Sequence, residues 1–241
     1  MSNESRVPAA AVLAAGLVIA AIIGGIAVGN LRKAGDQIVV TGSATRPVRA
    51  DFAVWRLDVN AQATTQLTAT RAAASGTAAV AGWLASNGFA DSAISVRTPF
   101  TMPQEEWING MHTGRILGYR VSQQVELRTA DVDKVADLAG DLTELLDDGV
   151  PVTGQSPEFL YAALPEIRGP LLADATRDAR NRAEEIVTAA GAKVGRIKAV
   201  NVGVFQVRRR QSVDVSDYGM YDTSDRDKDV TGVIRVTFAI E

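Results

Sequence analysis

Two periods of apolar and polar residues divide the chain. In "DFAVWRLDVNAQA", Ala53, Trp55, Leu57 and Val59 alternate with Val54, Arg56, Asp58 and Asn60. That is the period-two signature of a half-buried strand. A short apolar run between glycines, "GDQIVVTG" from Gly35 to Gly42, precedes it across the polar "RPVRA". The two runs lie close enough in sequence to pair as a hairpin. From Gln66 to Asn87 the period changes: Ala69, Ala73, Gly76, Val80, Trp83 and Leu84 recur at three and four, one face of a helix that Gly88 ends. "AISVRTPF" reads as a strand and "TMPQEEWINGMHTGR" as a long connection; the strands on either side of it are expected to form a hairpin with an extended, partly apolar tip carrying Met102, Trp107 and Met111. In "ILGYRVSQQVELRTADVDKV", Leu117, Tyr119, Val121, Val125 and Leu127 fall on one strand face. Gly118, Arg120, Ser122, Gln124, Glu126 and Arg128 fall on the other.

A second helix is expected over about Asp131–Asp147, with Val132, Val135, Ala139, Leu142 and Leu146 inward. "VPVTGQSPEFLY" follows as an irregular strand. A third helix covers about Pro165–Ala190, with Leu172, Ala175, Ala179, Ala183, Ile186 and Ala190 as its buried stripe and Gly191 as its stop. "GRIKAVNVGVFQV" reads as a strand. Arg208–Asp229 holds three consecutive arginines and six aspartates and reads as a mobile polar loop. "VTGVIRVTFAIE" closes the chain as a strand apolar on both faces at its middle. The order ββα, ββα, β, α, ββ predicts an α+β fold. Its expected core is a mainly antiparallel sheet built from ββα units, with three helices packed on it.

One segment belongs to neither period. From Val7 to Leu31 there is no charged residue over 25 positions, with Arg6 before it and Arg32 and Lys33 after it. At about 1.5 Å per residue such a helix spans a bilayer core of about 30 Å. The division expected is therefore a membrane anchor over residues 1–34 and an α+β domain over 35–241. Two other readings stand: a cleaved signal, with "AVG" at Ala27–Gly29 as a small-residue site, and a buried helix. Flanking charge does not settle the orientation, because Arg6 and the start amine balance Arg32 and Lys33.

Composition narrows the chemistry. Hydrophobic residues make up 46% of the 241 and charged residues 22%, enough for a packed core. A net charge of −3 leaves no electrostatic footprint for nucleic acid. With no cysteine there is no disulfide, thiol catalysis or zinc–thiolate site. His112 is the only histidine, so three-ligand metal chemistry has to rely on carboxylates and a Ser-His-Asp triad has to use His112; an exposed loop position is the simpler account. Asp225, Asp227 and Asp229 have the one-three-five spacing of a calcium loop, but Val230 and Val236 stand where Gly and Glu are needed. Arg208, Arg209 and Arg210 suit anionic lipid or phosphate, or pairing with the neighbouring aspartates. Glu105 with Glu106, and Glu184 with Glu185, are adjacent and do not converge on one atom. Neither a phosphate loop nor G-x-S-x-G occurs. No cofactor, metal or catalytic set is assigned. Phe100, Met102, Trp107 and Met111 remain as apolar residues in a polar connection, a pattern of contact surfaces; they are the candidate subunit contacts.

Four stretches together resemble the SIMPL-domain (DUF541) family: "VVTGSATRPVRADFAVWRLDV", "GYRVSQQVELRTADVDKVADLAGDL", "LLADATRDARNRAEEIVTAAGAKVGRIKAVNVGVF" and "VTGVIRVTFAIE". The resemblance runs from about Gln37 to Glu241. It implies a bacterial envelope or periplasmic protein, a homo-oligomer in some members, and a link to envelope or oxidative stress. It carries over no catalytic residue. The long apolar N-terminus departs from exported members and points to a tethered form. The expected function is therefore a membrane-tethered, self-assembling interaction module of the inner membrane, with its domain outside the cytoplasm. The lipid bilayer and further copies of the chain are its expected partners, nucleic acid is not one, and no other protein partner is assigned. The rival expectation is a hydrolase or small-ligand binder using scattered carboxylates. Gly118 and Tyr119 are expected to serve packing.

Overall fold

The computed structural model describes residues 14, 16–18, 20–22, 36–212 and 221–241. It is a mixed α/β chain with antiparallel sheets and a few helices. By contacts it divides into two compact units. One holds Met1–Ala44, Pro170–Val204 and Gly232–Glu241; the other holds Thr45–Gly169 and Phe205–Thr231.

The larger unit is built on strand β2 (Phe52–Ala63) and strand β5 (Met111–Thr129). They pair antiparallel from Ala53 opposite Thr129 to Ala63 opposite Tyr119. Strand β3 (Ile94–Val96) and strand β4 (Phe100–Ile108) pair with β5, and the short strands β6 (Val152–Gly154) and β7 (Glu158–Leu160) pair with β2. Alternation sends Trp55, Leu57, Val59, Val125 and Leu127 into the core. Helix α1 (Gln66–Ser86) covers that face with the residues its three-four spacing predicts: Ala69, Ala73, Gly76, Val80, Trp83 and Leu84. Thr65 Oγ1 accepts from Thr68 N–H at 3.2 Å to start the helix, and Gly88 takes a left-handed φ of +80° just past its end.

The chain departs from the sequence reading at several points. The single helix expected over Asp131–Asp147 is two, α2 (Val132–Leu138) and α3 (Thr143–Asp147). Gly140 is a poor helix former, and the Asp141 carboxylate accepts the Thr143 N–H at 2.8 Å, recapping the chain. The second piece restarts out of phase, so Leu145 is buried and Leu146 exposed. Strand β1 (Gln37–Arg49) does not pair with β2. Between them the Asp51 carboxylate accepts the N–H groups of Ala162 and Ala163, and Ala50 N–H donates to Arg226 carbonyl. That link is a pinned corner, and β1 continues beside β10 (Asp227–Ile240) in the second sheet.

The polar stretch read as a loop also carries strands. Strand β9 (Gln206–Arg209) pairs antiparallel with β10, setting Arg208 opposite Asp229. Residues 213–220, at the centre of that stretch, lie outside the described residues. The apolar N-terminal segment also lies largely outside them, and among the described residues no helix is long and apolar enough to cross a membrane.

In the smaller unit, β10 pairs with β8 (Val194–Val202). Helix α4 (Leu164–Ala189), from Pro170 onward, packs Ala175, Ala179 and Ala183 against Val40, Ile234, Val236 and Phe238. Its buried row is Leu171, Ala175, Ala179, Ala183 and Val187, not Leu172 and Ile186. Both choices flank the alanine stripe within one helical turn, and the packing against the sheet selects the four-residue row.

Candidate contact surface

Strands β4 and β5 run past the larger sheet as a two-stranded ribbon: the hairpin expected from the sequence is there, and the stretch read as its tip continues both strands. The ribbon closes at Asn109–Gly110, with φ of 52° and 80°. Two successive left-handed residues are the requirement of a type I′ hairpin turn, and Asn-Gly is its preferred pair. That dipeptide was the signal in the sequence for two continued strands. Ladder bonds continue back to Phe100 opposite Ser122, with irregularities around Glu105.

The ribbon is apolar on the outside. Trp107 is 61% exposed and Met111 71%, and Phe100, Met102, Ile108, Ile116 and Leu117 are all at least half exposed. The structure thus places the four sequence candidates on one hairpin and adds Ile108, Ile116 and Leu117, which had been missed. The Trp107 ring lies 3.8 Å from the His112 ring, tilted by 54°. His112 Nδ1 in turn meets the Glu105 carboxylate. His112 is therefore a strand residue that props Trp107, not a loop residue. Glu106 turns to Thr113 Oγ1 at 3.0 Å and to the Arg115 guanidinium at 3.3 Å. The adjacent carboxylates engage different partners and do not converge. At the base of the ribbon Gly118 is tightly packed: a Cβ there would lie 2.9 Å from the Ala63 carbonyl oxygen. Tyr119 packs on the Ala61, Ala69, Ala73 and Val121 cluster.

The face of the sheet turned away from α1 is a polar ladder, in which Arg56 stands opposite Glu126 and Asp58 opposite Gln124. Glu126 is 3% exposed and holds Arg56 at 3.1 Å, Arg97 at 3.0 Å and Arg128 at 3.3 Å. Arg56 also reaches Glu158 at 2.8 Å. Burial by itself pushes the Glu126 carboxyl up, but the hydrogen bonds from Arg97 and Arg56 and the positive charges of Arg97 and Arg128 outweigh it. The net shift is below the ordinary carboxylate value. A depressed folded pKa adds stability that is complete above the unfolded value of about 4.3 and is lost as pH falls through the folded value. Glu126→Gln will cost about 1–3 kcal/mol at neutral pH, since the stranded arginines still reach water. Urea midpoints between pH 7 and 3 will converge for wild type and variant at the acid end; curves that stay parallel would refute the assignment.

The remaining candidates separate. Asp227 and Asp229 lie on β10 beside the fully buried Lys228, whose Nζ donates to Asp222 carbonyl at 2.6 Å. Burial lowers the Lys228 pKa against the raising influence of Asp222 and Asp225. Among the described residues no group of three or more His, Cys, Asp or Glu is placed to hold a metal. The Arg208 guanidinium donates to Thr231 Oγ1 at 3.2 Å. Glu184 pairs with Arg180 at 2.9 Å on an exposed face of α4.

The family model described as "Protein of unknown function (DUF541)", SIMPL, matches residues 38–238. No curated protein matches the chain.

Proposed function

The chain belongs to the SIMPL (DUF541) family, and from that premise we propose that it is a non-enzymatic, membrane-tethered envelope protein that self-assembles through the β4–β5 ribbon. The observation that carries the reading is the ribbon itself. Seven large apolar side chains stand exposed on one hairpin, pinned at its turn and base, where a solvated loop would carry polar residues. The uncharged run Val7–Leu31 supports a single-pass anchor in the inner membrane. The envelope setting, the extracytoplasmic placement and a role in envelope or oxidative stress rest on the family resemblance. Tethering raises the effective concentration of copies in the plane of the bilayer, so modest pairwise contacts suffice.

The test is the mass of the full-length, detergent-extracted protein by sedimentation. Wild type is expected at a multiple of 25.5 kDa and Trp107→Ala/Met111→Ser near the monomer. The two truncations are expected to weaken association by about 100-fold or more. An unchanged sedimentation profile would sink the proposal. A reporter fused at Glu241 and active only in the cytoplasm would overturn the placement.

A further inference from the structure

Long strand edges stand open in both sheets among the described residues. Strand β4 pairs with β5 alone, and β1 and β8 each pair with β10 alone; β1 carries Pro47 in its open edge, so β8 is the one of these two free of proline. Open edges of this length present unpaired N–H and C=O groups and template another strand unless they are blunted. Strand β8 has no proline; its charges, Arg196 and Lys198, lie at the end where its register against β10 shifts twice, and Ala199–Val202 is its regular part. Val200 and Val202 stand opposite the core residues Val236 and Ile234, yet both are exposed, as is Ile197. They are the outer continuation of a core face, left without a cover.

The two edges complement each other. Strand β4 is apolar at its start, with Phe100 and Met102, and acidic toward its end, with Glu105 and Glu106; β8 is basic at its start and apolar at its end. Both are nine residues long. An antiparallel pairing that sets Val202 against Phe100 sets Val200 against Met102; beyond Ala199 the register of β8 shifts twice, and its basic end, Lys198 and Arg196, falls along the acidic end of β4, Glu105 and Glu106, without a fixed pair. Cross-strand apolar pairs and ends of opposite charge then fall together. A parallel pairing brings the basic start of β8 against Phe100 and Met102 and loses the match. Pro103 supplies no N–H, so its neighbours carry the ladder.

We propose that the open β4 edge of one copy adds antiparallel to the open β8 edge of the next, a heterologous contact between two copies of this chain. It rests on the reading that the chain self-assembles through the ribbon, and it names the surface that the ribbon meets. A heterologous contact repeats from copy to copy and closes into a ring or extends as a filament, whereas a twofold contact stops at a dimer.

The absence of cysteine from the chain makes the test direct. Full-length Phe100→Cys and Val202→Cys variants are purified in detergent, checked by sedimentation for wild-type assembly, then oxidised singly and after mixing. Cross-linked dimers are expected from the mixture and not from either variant alone. Glu106→Arg is expected to weaken assembly by about tenfold, and Arg196→Glu in the same chain to restore it. Phe100→Cys cross-linking with itself would overturn the pairing in favour of a ribbon-to-ribbon dimer. Wild-type assembly without any mixed cross-link would also overturn the pairing and leave self-assembly standing. Monomeric wild type would remove both.

Discussion

Alanine at position 42 will meet a closer backbone contact than alanine at any other glycine among the described residues, and will disrupt the smaller unit. Gly42 lies on β1 where the strand crosses α4. A Cβ there would sit 2.2 Å from the Ala175 carbonyl oxygen, 2.5 Å from the Ala179 nitrogen and 2.7 Å from the Ala179 Cβ. Two of the three are backbone atoms of the helix, so no rotamer change relieves the overlap. The strand and helix have to part, which opens the contact of Ala175 and Ala179 with Val40, Val236 and Phe238. It also strains the hydrogen bond from Ser43 N–H to the Asp178 carboxylate, 2.9 Å long. Overpacking a core costs about 1–3 kcal/mol when side chains can shift. Here the cost will exceed about 3 kcal/mol, a fall in melting temperature of roughly 6–12 °C for a domain of this size. Circular dichroism melts of wild type and Gly42→Ala check it; coincident melts would mean that the strand does not approach the helix so closely.

Trp55→Ala carries the second large effect, in the larger unit. The side chain is 1% exposed at the centre of β2. Its ring meets Trp83 of α1 edge-on, 6.2 Å between centroids, and its Nε1–H donates to Gln155 carbonyl at 2.9 Å. Truncation leaves a large cavity between sheet and helix and a carbonyl without its donor, a loss of about 3–5 kcal/mol. Trp107→Ala removes the same side chain from the exposed ribbon and should change the stability of the monomer by less than about 0.5 kcal/mol. Urea unfolding of the two variants, followed by circular dichroism, reads the contrast. Equal destabilisation would show that Trp107 is packed within its own copy and would weaken its part in assembly.

The contrast between two tryptophans also shows what residue patterns reveal. Trp55 was legible because it alternates with Arg56 and Asp58 in a strand whose other face is polar. Helix α1 was legible to within one residue at its end because its apolar stripe obeys one spacing and Gly88 follows it; buried Thr77 was the one position of that face that the apolar pattern left out. The antiparallel pairing of Arg56 with Glu126 was not legible, since nothing local to either residue names a partner seventy positions away. The burial of Glu126 follows from three arginines on separate stretches closing over it, and no window around "VELRT" contains Arg56 or Arg97. The ribbon lay between these cases. Asn109–Gly110 is a local hairpin signal, but the tip lacks clean alternation because it packs against nothing in its own sheet.

The chain's own residues were sufficient for family, for the position of most strands and helices, and for an apolar segment ahead of a folded region. Those properties follow from short-range spacing, caps and order along the backbone. Which strand pairs with which, whether "AGDLT" breaks a helix, and which side of the alanine stripe faces a sheet were settled by packing. These are contests between near-equal local choices, and contacts distant in sequence break the tie. The open edges of β4 and β8 belong to the second kind. An edge is defined by the neighbour a strand lacks, and that is a property of the assembled sheet.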